Sequence, residues 1–146
     1  ININSDVNIF VLNPPKDIRL KDSNENSLAL KIEYGGRGIL LCGDIDDKSM
    51  KRMMRYDGLL RSDVVKVPHH GGFISDGLVL EKFFKTIAPE VSVISVGAWN
   101  QFKMPNEETL EIIRSSSRRV YQTKDSGAVS ISVENGYIEV KPFINN

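Results

Sequence analysis

Asp63-Val64-Val65-Lys66-Val67-Pro68-His69-His70-Gly71-Gly72 is the stretch on which the fold turns. Its first half reads as a short β-branched strand, Asp63 to Val67. Pro68 ends it, because proline lacks the amide proton that a ladder needs. Both histidines of the chain then stand side by side, followed by two glycines. In α/β folds the ends of strands are where ligands and catalytic groups collect, and glycine lets backbone approach a metal or a phosphate closely. The same residues also fit a plain turn, with one histidine capping the strand and the other solvated.

Working outward, the pattern is one of strands alternating with helices. Upstream, Asn8 to Leu12 reads as a strand stopped by Asn13-Pro14-Pro15, and the polar stretch from Lys16 to Asn26 reads as a loop. Ser27 to Tyr34 places Leu28, Leu30, Ile32 and Tyr34 on one face with period two. Gly35-Gly36-Arg37-Gly38 turns the chain into Ile39 to Cys42, which ends at Gly43-Asp44. Asp46 then caps a helix running to about Tyr56, with Met50, Met53 and Met54 at helical spacing. Downstream, a helix from Asp76 to Ile87 buries Leu80, Phe83, Phe84 and Ile87, and Val91 to Val96 is a strand apolar on both faces. After the loop Gly97 to Met104, Pro105 is expected as the first residue of a helix through Arg114. Arg119 to Gln122 and Ala128 to Val133 read as strands, and Asn135-Gly136 as a hairpin turn into Tyr137 to Val140. No repeat or linker interrupts residues 1–146, so one layered α/β body is the simplest organisation.

Composition narrows the function classes. Lysine plus arginine equal aspartate plus glutamate at 19 each, so no global basic field draws in nucleic acid, and polyanion specificity has to come from a local site. The single cysteine, Cys42, excludes an intrachain disulfide framework and a cysteine-rich zinc site, and suits a reducing compartment. No apolar run approaches the roughly 20 residues that span a bilayer. The start, Ile1-Asn2-Ile3-Asn4, has neither the basic flank nor the apolar core of a signal peptide and no initiator methionine, which reads as a processed or truncated chain.

Three successive strand ends carry polar, glycine-rich loops. The first ends in Asp44, a carboxylate able to bridge metal ions or orient a histidine, or simply to start a turn and cap the next helix. The second is the histidine pair. The third, Gly97 to Pro105, offers Asn100 and Lys103 to a substrate phosphate and Trp99 or Phe102 to a base or a pocket wall; aromatic core plugs are an equal reading. Lys66 reads as structural or solvated.

Several strings occur in a telling order: Asn24-Glu25-Asn26-Ser27-Leu28, Leu40-Leu41-Cys42-Gly43-Asp44, Asp63 to Gly71, Ile94-Ser95-Val96-Gly97-Ala98-Trp99-Asn100 and Tyr121-Gln122-Thr123-Lys124-Asp125-Ser126-Gly127-Ala128. Together they resemble the metallo-β-lactamase-like domain of the ComEC/Rec2 competence proteins and their stand-alone relatives, from about Val11 to Val133. The resemblance implies an α/β (in some schemes α+β) fold, an αββα sandwich of which this chain is the carboxy-terminal portion. It implies a divalent metal, zinc or manganese, at the strand ends and hydrolysis by metal-activated water. In competence proteins the proposed substrate is DNA and the domain is attached to a membrane channel. Carried over by residue, Asp44 and His69 are the expected metal ligands, and His70 and Asn100 the expected catalytic contacts, with His69 and His70 interchangeable on the sequence alone. On this resemblance the location is cytoplasmic for a stand-alone protein and the cell-surface side for part of a channel.

The chain departs from the family pattern in three places. The ligand motif His-x-His-x-Asp-His is not in it. Met104-Pro105 stands where the family has His-Pro, and thioether sulfur is a poor ligand for zinc or manganese. Gly72 stands where serine is common. Two readings follow. In one, the chain is the later part of a metal-dependent hydrolase acting on phosphodiesters such as DNA, and an upstream half or a second copy covers an apolar sheet face and completes the site. In the other, it is a degenerate, non-catalytic nucleic-acid- or protein-binding module. An unrelated α/β domain carrying these strings is the remaining alternative.

Overall fold

The computed structural model describes residues 2–4, 6–16 and 22–144. Among the described residues the strands are β1 (Asn2–Asn4), β2 (Val7–Asn13), β3 (Ala29–Tyr34), β4 (Arg37–Leu41), β5 (Val64–Lys66), β6 (Val91–Ile94), β7 (Arg119–Gln122), β8 (Val129–Glu134) and β9 (Tyr137–Pro142). The helices are α1 (Asp47–Met53), α2 (Gly77–Ile87), α3 (Glu107–Ser116) and the single turn α4 (Thr123–Ser126). A tight 3-10 segment, Met54–Leu60, extends α1. Among the described residues, β1 to β7 form one sheet in sequence order and β8–β9 a separate hairpin. Strands β1 to β4 are antiparallel; β4 to β7 are parallel.

This order fixes the layers. The crossovers β4–α1–β5, β5–α2–β6 and β6–α3–β7 all step the same way across the sheet. Crossovers of one hand stepping one way place their helices on one face. That face holds the main core, where Leu40, Val65 and Ile94 of the sheet, with Val67 just after β5, meet Met50, Met53, Leu80, Phe83, Phe84, Leu110 and Ile113. Phe83 and Phe84 are fully buried, and each such side chain contributes about 1.5–3 kcal/mol by leaving water.

The first two main helices start as their sequence indicates. The Asp46 carboxylate accepts from Ser49 N at 2.9 Å, and the Asp76 carboxylate from Val79 N at 3.3 Å. The third start differs from expectation: α3 begins at Glu107, because Asn106 takes the cap position and accepts from Thr109 N at 3.1 Å. Pro105 lies before the cap and packs against Gly71 instead. The loop before β3 is also more ordered than its polarity suggests. Asn24–Asn26 form a 3-10 turn that buries Glu25, which binds Lys48 at 2.6 Å and Arg52 at 3.4 Å. Residues 17–21 of that expected loop lie outside the described residues.

The opposite face is covered in part. Val129, Ile131, Ile138 and Val140 of the hairpin pack on Val64, Val91, Val93, Ile39 and Tyr121. Arg37 joins hairpin to sheet, donating from Nε to Gly136 O at 2.6 Å while pairing with Asp63 at 2.9 Å. Over β2 to β4 the same face continues as two registered apolar rows, Ile9–Ile32–Ile39 and Val11–Leu30–Leu41. Val11 and Leu41, together with Leu28 just before β3, are exposed. A mixed α/β body is therefore present, with one helical layer and a half-covered second face.

Candidate functional site

The parallel strands β4, β5 and β6 end at one edge of the sheet, and the three loops singled out in the sequence follow those ends. Leu41 is paired with Lys66, and Lys66 with Val93, so Gly43-Asp44, the histidine turn and the Gly97 loop emerge side by side. The first turn is close-packed: a side chain on Gly43 would meet the Leu28 carbonyl at 2.7 Å. The backbone of the second is tied to it, since His69 N donates to Gly43 O at 3.0 Å.

The histidine turn has an unusual backbone. His69, His70 and Gly71 are all left-handed, with φ of 47°, 55° and 72°. For an L-residue the left-handed region costs roughly 1–2 kcal/mol, and such strain concentrates at functional sites. The turn persists because it is held on three sides. Gly72 N donates to His69 O at 2.8 Å, Asn106 N to Gly71 O at 2.8 Å, and Thr109 Oγ1 to Gly72 O at 3.2 Å. At Gly71 the fit is so close that a Cβ would stand 2.8 Å from Pro105 Cβ.

This geometry turns His70, rather than His69, toward Asp44. His70 Nε2 is 3.4 Å from Asp44 Oδ1 and Nδ1 is 2.6 Å from Ser95 O. A carbonyl oxygen only accepts, so Nδ1 carries the proton and donates. In the neutral ring Nε2 then holds a lone pair aimed at a carboxylate. Two acceptors facing one another become a favourable contact when Nε2 is protonated or a cation lies against both. Their spacing suits a metal: neighbouring ligands of a tetrahedral zinc ion, each about 2.0–2.1 Å from it, sit about 3.4 Å apart. Ser95 O supplies the backbone partner that metal-ligating histidines commonly have on their other nitrogen.

Lys66 belongs to the same site, which the sequence reading did not anticipate. Its Nζ donates to Gly43 O at 3.2 Å and lies 3.8 Å from Asp44 Oδ1. The available signal was register: in a parallel sheet, the residue two before Pro68 falls level with the end of the neighbouring strand. Cys42 is buried beneath the site, and that burial pushes its thiol up to about 12, with Lys66 pulling weakly the other way. It stays a neutral packing group there.

The remaining candidates are placed differently. Asn100 is turned inward on its own loop: its amide donates to Gly97 O and Met104 O, both at 3.0 Å, and its oxygen accepts from Met104 N at 2.7 Å. Trp99 and Phe102 are not core plugs; they are 101% and 70% exposed. Met104 lies over Gly72, where an added Cβ would be 2.9 Å from its Cε and 3.5 Å from His69 Nδ1. Two of the departures from the expected pattern, Met104 and Gly72, are thus neighbours, and one makes room for the other. Among the described residues, no group of three or more His, Cys, Asp and Glu side chains is placed to hold a metal ion. Nor, among them, is any helix long and apolar enough to cross a membrane.

Comparison with known proteins finds no matching family model. The chain is 31% identical over 112 residues to ComE operon protein 3 of Bacillus subtilis, covering 77% of this chain and 14% of that protein. It is 30% identical over 128 residues to Competence protein ComA of Neisseria gonorrhoeae, covering 87% and 18%. Against Recombination protein 2 of Haemophilus influenzae it is 27% identical over 132 residues, covering 90% and 16%. The chain spans less than a fifth of the length of each of these relatives.

Proposed function

Because this chain belongs to the ComEC/Rec2 family as a ComEC/Rec2-like domain, we propose that it is part of a metal-dependent hydrolase unit acting on phosphodiesters in DNA uptake. The observation that carries this reading is the facing pair of acceptors, His70 Nε2 and Asp44 Oδ1, with the imidazole tautomer set by Ser95 O. Asp44 and His70 fit as two ligands of a divalent zinc or manganese ion. His69 and His70 accordingly exchange the roles expected from resemblance, and Asn100 shapes its loop. A divalent ion supplies, when bound, Lewis acidity and water activation near neutral pH. The chain's own residues do the rest. Ser95 O holds the His70 proton on Nδ1 and keeps Nε2 free as a base or ligand. Lys66 balances the Asp44 charge and offers a cation to an anionic substrate.

In this reading the further ligands come from a polypeptide that also covers the apolar rows of β2 to β4, completing an αββα metallo-β-lactamase-like sandwich. Either an upstream half of the same domain or a second copy of this chain fills that place. The half-covered second face supports it, since a sheet of this kind buries both faces.

The test is metal binding by the chain and by the completed domain, followed by cleavage of a simple phosphodiester. Zinc or manganese uptake should be lost in Asp44→Ala and in His70→Ala and retained in His69→Ala. Undiminished uptake and cleavage in Asp44→Ala would overturn the proposal. One observation favours a second reading, a non-catalytic binding module: Met104 and Gly72 occupy adjoining positions beside His69. That reading requires the completed, metal-loaded domain to be inactive.

A further inference from the structure

The loop between β6 and α3 is built to hold two aromatic rings in water. It is fastened to the histidine turn at both ends. Ser95 O, just before the loop, accepts from His70 Nδ1 at 2.6 Å, and Asn106 N, just after it, donates to Gly71 O at 2.8 Å. Within it the Asn100 side chain ties both ends together through Gly97 O, Met104 O and Met104 N. Lys103 N closes the turn on Asn100 O at 3.2 Å, with Lys103 itself left-handed at φ 52°. A loop this strongly cross-braced has little entropy to lose on binding. Its two large side chains lie outside the core: Trp99 is fully exposed and Phe102 largely so, with Phe73 beyond the histidine turn also exposed at 66%. Between Gly97 and Asn106 the loop carries one cation, Lys103, and no acid.

We infer that the Gly97–Met104 loop is a preformed stacking platform for the unpaired bases of a single-stranded nucleic acid, presenting Trp99 and Phe102 beside the Asp44–His70 pair. The inference rests on the phosphodiester reading above and adds what the site prefers. Aromatic faces accept any base once it is unstacked, whereas in a duplex the same faces are covered by neighbouring bases. Lys103 supplies the cation for the adjoining phosphate. A bilayer is a poorer fit, because the flanking Asn100 and Gln101 are polar and Lys103 is charged.

Trp99 is the one tryptophan of the chain, so its emission reports on the platform alone. With EDTA present so that nothing is cleaved, a short oligothymidylate should quench that emission to saturation, and a duplex of equal length should do so several-fold more weakly. Phe102→Ala should lower the affinity about ten-fold. Trp99→Ala, followed by the anisotropy of a labelled oligothymidylate, should do the same. Both variants should unfold at the wild-type temperature, since neither ring is packed. Equal binding of duplex and single strand, or unchanged affinity in both variants, overturns the inference. So does a blue-shifted response to phosphatidylglycerol vesicles with none to oligothymidylate, which would assign the loop to a membrane surface. Binding read without metal is independent of hydrolysis, so loss of the hydrolase reading leaves a positive result standing, and cleavage without base stacking removes only the platform.

Discussion

Replacing Gly71 with alanine tests the packing on which the whole site depends. Two costs add. At φ 72° a Cβ is strained, by about 1–2 kcal/mol. It would also stand 2.8 Å from Pro105 Cβ, about 0.7 Å inside an ordinary carbon contact. A proline ring has no flexible end to swing aside, and the other near neighbours are Ile94 Cγ2 at 3.5 Å and Pro105 Cα at 3.6 Å. Overpacking of that kind costs about 1–3 kcal/mol. The sum is roughly 2–5 kcal/mol, which for a chain of this size lowers the melting temperature by roughly 4–20 °C. Gly36→Ala isolates the backbone part, because Gly36 has φ 75° and nothing within 4 Å of its added Cβ. Urea denaturation followed by circular dichroism should rank wild type above Gly36→Ala and Gly36→Ala above Gly71→Ala, with the second gap about 1–3 kcal/mol. If Gly71→Ala is no less stable than Gly36→Ala, Pro105 does not brace the histidine turn and the derived position of His70 falls with it.

Cys42 is fully buried with its thiol pushed up to about 12, so a thiol reagent at pH 8 should leave the folded protein unmodified and label it only at the rate of unfolding. Rapid stoichiometric labelling of folded protein would show that the edge of the sheet near Asp44 opens. Asp76 caps α2 and pairs with Lys51 at 3.1 Å, and that hydrogen bond holds its carboxyl below the usual value of 3.8. A depressed folded-state value means the contribution is present above pH 3.8 and is lost as the pH falls through the lower, folded value. Wild type should therefore exceed Asp76→Asn in thermal stability at pH 6, and the gap should close as the solution is acidified below pH 3.8; a gap independent of pH would refute the linkage.

Much of this protein was readable from local rules. Period-two alternation, Pro68, the glycine turns and the Asp46 cap located most strands and helices to within a few residues, because each rule depends on near neighbours in the chain. The strings that mark the ComEC/Rec2 family were legible for the same reason, being short and ordered. Pro105 misled because proline suits the first turn of a helix anywhere, and only the packing of Gly71 against it shows that Asn106 has the better cap. Which histidine faces Asp44 was equally out of reach: two adjacent residues look alike until a left-handed backbone and the Ser95 carbonyl orient one of them. Lys66 entered the site through strand register, Asn100 left it for its own loop, and Met104 met Gly72 across a gap of more than thirty positions. Those facts are distances between residues far apart in sequence. Local preference sets where an element starts and stops; the packing of one element on another alone decides which side chains meet.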